Sequence, residues 1–119
     1  MSSEPQTEKT AEEHFKDGLA FSKLGDDRRT FESYKKAIDL RSGYLDAYIN
    51  LGNAYFRKSD FTSAIDSYEK ALKIDPNRKE TCGGYGDLLL KFNQHAKALL
   101  YIKKGAGFIS FTQKDFKII

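Results

Sequence analysis

The side chains best suited to chemistry in this sequence are His14, His95 and Cys82. A zinc site needs three or four His, Cys or carboxylate ligands at short, recurrent spacings. The two histidines lie far apart and neither has a partner at such a spacing, while a lone cysteine cannot complete a set. It cannot form an internal disulfide either, so an oxidising compartment gains no support. The run Gly83-Gly84-Tyr85-Gly86 is rich in glycine, but it falls inside a helical pattern rather than after a strand. No Walker-type loop and no Gly-x-Ser-x-Gly nucleophile elbow is present. The chain therefore reads as non-enzymatic, with no catalytic residue, no metal and no cofactor.

Charge is the other candidate for chemistry. Lys23, Arg57 and Lys91 form a cationic row at a constant interval of 34 residues, suited to acidic groups on a ligand. Placement near the end of a helix also explains such cations, through the helix dipole and solvation. The whole chain carries 20 basic and 17 acidic side chains, largely interspersed, for a net charge of +3. That is too even a distribution for a nucleic-acid interface, which concentrates basic residues on one face. The first ten residues lack the apolar core of a signal peptide. No stretch reaches the roughly 18 to 20 apolar residues that span a bilayer. The expected setting is the cytoplasm, with no membrane and no nucleic acid as partner.

The elements that position these residues come from an internal repeat. Shifted by 34, the sequence aligns Gly18, Gly52 and Gly86, then Phe21, Tyr55 and Leu89 three residues later. Tyr34, Tyr68 and Ile102 coincide, as do Ala37, Ala71 and Gly105. Within each copy, large and small apolar residues recur at helical spacing in two runs separated by a polar break. The breaks are Gly25-Asp26, Ser59-Asp60 and Asn93-Gln94, and Asp75-Pro76-Asn77 stops the middle copy. Helices are predicted near 11–24, 28–41, 45–58, 61–74, 79–92 and 95–104. The glycines let paired helices approach closely, and Gly83, Gly84, Gly105 and Gly107 predict a loosened third copy.

The middle copy, residues 45–78, strongly resembles a tetratricopeptide repeat. Tyr48, Leu51, Gly52, Tyr55, Ala64, Tyr68, Ala71 and Pro76 fill the family's positions. The first copy departs at His14, Asp17, Thr30 and Ser42, and the third weakens toward its end. The resemblance implies an all-α fold, a right-handed superhelical stack of three antiparallel helix pairs. Its units are 11–44, 45–78 and 79–106, after a disordered tail at 1–10. His14 and Cys82 fall where the family often has an aromatic, so a packed or surface histidine and a small packing cysteine are expected.

In that family the first helices of the units line a concave groove for a partner peptide or helix. Carried over, the groove includes Phe15, Leu19 and Lys23, then Ile49, Asn50, Asn53, Phe56 and Arg57, then Asp87, Leu90 and Lys91. The apolar members either anchor a ligand or belong to the core. Some relatives clamp the C-terminal carboxylates of heat-shock chaperones with five Lys, Asn and Arg side chains. Those positions here are Phe15, Leu19, Asn50, Glu80 and Gly84, a single match with an acid where a cation is required, which argues against the clamp. The resemblance thus implies a protein-interaction module or adaptor. A recruiting segment of a larger enzyme and a self-assembling scaffold are the alternatives. Residues 107–119 carry six large apolar side chains. They read as an irregular or short helical cap, as a surface for another copy, or as the start of a further element.

Overall fold

The computed structural model describes residues 8–92 and 95–106. The C-terminal segment 107–119, the Asn93-Gln94 break and most of the expected N-terminal tail lie outside the described residues. Among the described residues six helices follow one another: α1 (Ala11–Leu24), α2 (Asp27–Leu40), α3 (Leu45–Arg57), α4 (Phe61–Ile74), α5 (Lys79–Lys91) and α6 (His95–Ala106). They pack as antiparallel pairs, α1 with α2, α3 with α4 and α5 with α6, and each pair stacks on the next. The result is an all-α repeat solenoid, whose stability comes from neighbouring pairs burying one another's apolar faces.

Local sequence sets where each helix begins and ends. Thr10 caps α1 in a reciprocal capping box with Glu13. Asp26 and Asp60, one repeat apart, cap α2 and α4 by accepting from the backbone N–H of Arg29 and Ser63. The residue before each of these caps must reverse the chain. Gly25 does so at φ 78°, and Ser59 occupies the same left-handed region at φ 63° without glycine's freedom.

Close approach within each pair depends on a glycine facing a large side chain. A Cβ added at Gly18 would stand 2.4 Å from the Tyr34 ring, and one at Gly52 2.8 Å from the Tyr68 ring. Tyr34 and Tyr68 are consequently almost fully buried. Ala64, Tyr68, Tyr85, Leu88, Leu89 and Ala98 form the main core, and Ala11, Ala37, Tyr44 and Ala47 form a second cluster at the first unit. Aromatic contacts join the units: Phe31 of α2 stacks on Tyr55 of α3 at 4.7 Å, and Phe15 lies 5.3 Å from Tyr44.

The third pair corrects one expectation. Gly105, expected to interrupt the second helix, lies within α6, and it and Gly86 admit close approach of α5 and α6. α6 runs through Gly105 to Ala106, past the predicted end near 104. A Cβ on Gly105 would stand 2.8 Å from the backbone nitrogen of Gly83, so the two helices touch backbone to backbone there. Cys82 is fully buried, its Sγ 3.5 Å from the Pro76 carbonyl, and burial pushes its thiol pKa up. His14 is half-buried on α1, and the His95 side chain lies outside what is described.

Candidate partner-binding groove

The first helices α1, α3 and α5 place the predicted groove residues in three different situations. Ile49 is only 5% exposed and belongs to the core. Phe15 is half-buried between Tyr34 and Tyr44, at 5.8 and 5.3 Å, and serves as a wall of the first unit. Asn50 spends its amide on the Asp46 carbonyl at 2.8 Å, a bond within its own helix. Leu19 and Leu90 are open to solvent at 36% and 40%, as are Lys23, Arg57, Asp87 and Lys91.

Four of the predicted residues converge. Asn53, Phe56, Arg57 and Asp87 line a cleft of about 340 Å³ together with Tyr68 and Gly84. Tyr68 comes from the second helix α4, yet its ring passes between α3 and α5. A Cβ at Gly52 or at Gly84 would meet it at 2.8 Å. Its hydroxyl donates to Asn53 Oδ1, which turns the rest of that amide toward the cleft. Burial, helped by the nearby Asp87 and opposed by Arg57, holds the Tyr68 phenol at about 12. The phenol is therefore neutral at physiological pH and acts as a hydrogen-bonding floor.

The repeat register placed Tyr68 on the second helix of the middle unit and gave its hydroxyl no part in the groove. The available signal was Gly84: a glycine at the α5 position that in α3 is Asn50 leaves the next unit without a side chain over the tyrosine.

The charges around the cleft are unevenly satisfied. Acids near the start of the first helices are tied to the linkers, Glu12 with Arg41 at 2.7 Å and Asp46 with Arg78 at 2.9 Å. Among the described residues, Lys23, Arg57, Lys91 and Asp87 form no ion pair with an oppositely charged side chain. Arg57 donates to Ser22 Oγ at 3.0 Å, across from α3 to α1. Lys91 Nζ stands 5.8 Å from the ring centres of both Phe56 and Phe61. The cleft thus offers the Phe56 ring as a wall, the Tyr68 floor, an amide, a guanidinium and a carboxylate within one opening. Among the described residues, no group of three His, Cys, Asp or Glu side chains could hold a metal ion. None of the described helices is long and apolar enough to cross a membrane.

Comparison with known proteins agrees with this architecture. The tetratricopeptide repeat family matches residues 45–78. The human protein named tetratricopeptide repeat protein 6 is 37% identical over 62 residues, covering 52% of this chain and 12% of its own length. The crystal structure of MamA superposes with a TM-score of 0.76 at 26% identity, covering 91% of this chain and 61% of MamA. The second tetratricopeptide domain of Spaghetti (RPAP3), solved with an HSP90 peptide, gives a TM-score of 0.78 over 82% of this chain and 91% of its own. At 17% identity, that likeness shows the fold alone. This chain therefore spans 12% of the human protein and 61% of the MamA chain, less than two thirds of either.

Proposed function

Because the chain is a tetratricopeptide-repeat protein, we propose that it is a non-enzymatic adaptor whose first-helix face binds a segment of a partner protein. The observation that carries this reading is the cleft of Asn53, Phe56, Arg57, Tyr68, Gly84 and Asp87. Apolar walls and unpaired charges meet there on an open surface. Leu19 and Leu90 are exposed on the first helices α1 and α5, and Lys91 stands beside the Phe56 wall. The preferred ligand is a peptide or helix with one or two hydrophobic anchors and an acidic flank facing Arg57 and Lys91.

The same geometry speaks against the carboxylate clamp used on chaperone tails. Of the five clamp positions only Asn50 matches, and its amide is engaged by Asp46. Glu80 would repel a terminal carboxylate, and Gly84 offers it no side chain.

A peptide array probed with the wild-type chain and with Arg57→Ala and Asp87→Ala tests the assignment. Both residues are exposed, so the variants keep the wild-type melting curve while their binding profiles change. Profiles identical to wild type for every captured peptide would remove the cleft from the function. Fluorescence titration with the acidic heptapeptide SRMEEVD is expected to show no carboxylate-dependent saturation.

A further inference from the structure

Apart from the first-helix cleft, the middle unit carries a larger opening on its flank, of about 600 Å³ between α2, α3 and α4. The two openings share no lining residue. Leu51 and Tyr55 of α3 form a wall of the flank pocket, and the Phe31 ring holds Tyr55 from α2 at 4.7 Å. Ser67 of α4 lies at its floor, only 3% exposed. Its hydroxyl has no hydrogen-bond partner among the described residues. A buried hydroxyl left in that state costs free energy until a ligand or a water supplies the partner.

The repeat itself shows what such a space holds. One repeat after Ser67 stands Tyr101. Its ring meets that of Tyr85, the residue in register with Leu51, edge to face at 4.8 Å. Lys104, in register with Lys70, lies 5.4 Å from the centre of the Tyr101 ring. In the third unit, then, an aromatic ring packs beside the first helix and a lysine covers it. The middle unit keeps the wall and the lysine, but has serine where the ring would start. Ser33 repeats this in the first unit, where it lines an opening of about 410 Å³ with Phe21 and Lys36, in register with Tyr55 and Lys70. The middle pocket has in addition the preceding second helix beside it, which contributes Lys35, Ile38 and Asp39.

We propose that the flank pocket of the middle unit binds a tyrosine side chain of a partner polypeptide, whose ring takes the place that Tyr101 fills in the third unit. Leu51 and Tyr55 wall the ring, and Lys70, held by Asp66 at 3.1 Å, covers it as Lys104 covers Tyr101. A ring that enters from solvent carries its hydroxyl deepest, toward the unpartnered Ser67. Charge sets the flanks. Lys35 and Asp39, one turn apart on α2, are exposed and form no ion pair among the described residues. A segment with an acid and a base beside its tyrosine complements both. This site does not depend on the first-helix cleft.

The test is an amide-detected NMR titration of the full chain with the peptide acetyl-glutamyl-tyrosyl-lysine amide and its leucine analogue. Saturable shifts are expected at the amides of Ser63, Ser67 and Lys70, with the leucine analogue bound about two- to fivefold more weakly for want of a ring under the lysine. Ser67→Tyr fills the pocket from within and removes the shifts while the chain stays folded. Lys70→Gln, at an exposed position, weakens the tyrosine peptide by about two- to fivefold and leaves the leucine analogue unchanged, so it decides the matter even where Ser67→Tyr fails to fold. Asp87→Ala, in the first-helix cleft, leaves the titration as in wild type, which separates a failure of this site from a failure of the cleft. Shifts confined to the cleft, no saturable shift at all, or equal affinity for the two peptides would overturn the proposal. Shifts of the same amides that grow with protein concentration in the absence of peptide would overturn it in favour of a second copy of the chain.

Discussion

Replacing Gly83 by alanine adds a methyl group where an ideal Cβ meets no heavy atom within 4 Å. Both Gly83 and Gly84 lie inside α5, where alanine is favoured over glycine by about 0.8 to 1 kcal/mol. Gly83→Ala therefore raises stability by about 1 kcal/mol, or about 4 °C in melting temperature for a chain of this size. The same gain is available one residue later, but there the new Cβ would stand 2.8 Å from both Cζ and the hydroxyl oxygen of Tyr68. The ring has little room to withdraw. Gly52 presses on its other side and Asn53 holds its hydroxyl. Overpacking of this kind costs about 1 to 3 kcal/mol, so Gly84→Ala is destabilising by about 1 kcal/mol net. It also narrows the cleft and weakens peptide capture, which Gly83→Ala leaves intact. Thermal and urea unfolding followed by circular dichroism measure both variants. Equal stabilisation of the two would mean that Tyr68 is not lodged between α3 and α5. A destabilising Gly83→Ala would refute the open space assigned to that position.

Two further outcomes follow from buried ionisable groups. The Tyr68 phenol is raised to about 12 in the fold, against an ordinary value of about 10 in the unfolded chain. Its contribution to stability is then complete below pH about 10 and is lost as pH rises toward about 12, because the unfolded chain releases the proton first. Urea unfolding across that window, compared with Tyr68→Phe, should show a shallower alkaline loss in the variant; identical slopes would contradict the burial. Cys82, buried with its thiol pushed up, should react with a disulfide reagent only as fast as the chain opens. A rapid reaction under native conditions would show that the third unit admits solvent.

Much of the fold was legible because a repeat writes the same packing problem several times. The 34-residue interval located the helix pairs, and the turn residues Gly25-Asp26 and Ser59-Asp60 marked their reversals through positive φ and N-capping. The candidate groove was legible less completely. Asn53, Phe56, Arg57 and Asp87 were named from register and do share a cleft. Ile49 was named by the same rule, yet it is buried. Periodicity assigns a residue to a helix face, but the edge of that face is set by how far the neighbouring helix reaches.

The glycines of the third unit show the difference most directly. As letters, Gly83, Gly84 and Gly105 read as helix-weakening residues, since glycine loses the most backbone entropy in a helix. In the fold two of them admit something close. Gly105 brings α6 against the α5 backbone, and Gly84 makes room for the Tyr68 ring. Sequence alone placed the helices of the described residues and their pairing, because these depend on local spacing and residue type. Only the tertiary structure decided that Tyr68 from a second helix floors the first-helix cleft, and that Arg57 and Asp87 stand there without ion-pair partners. Those facts depend on the angle at which one helix pair stacks on the next, which no single segment encodes.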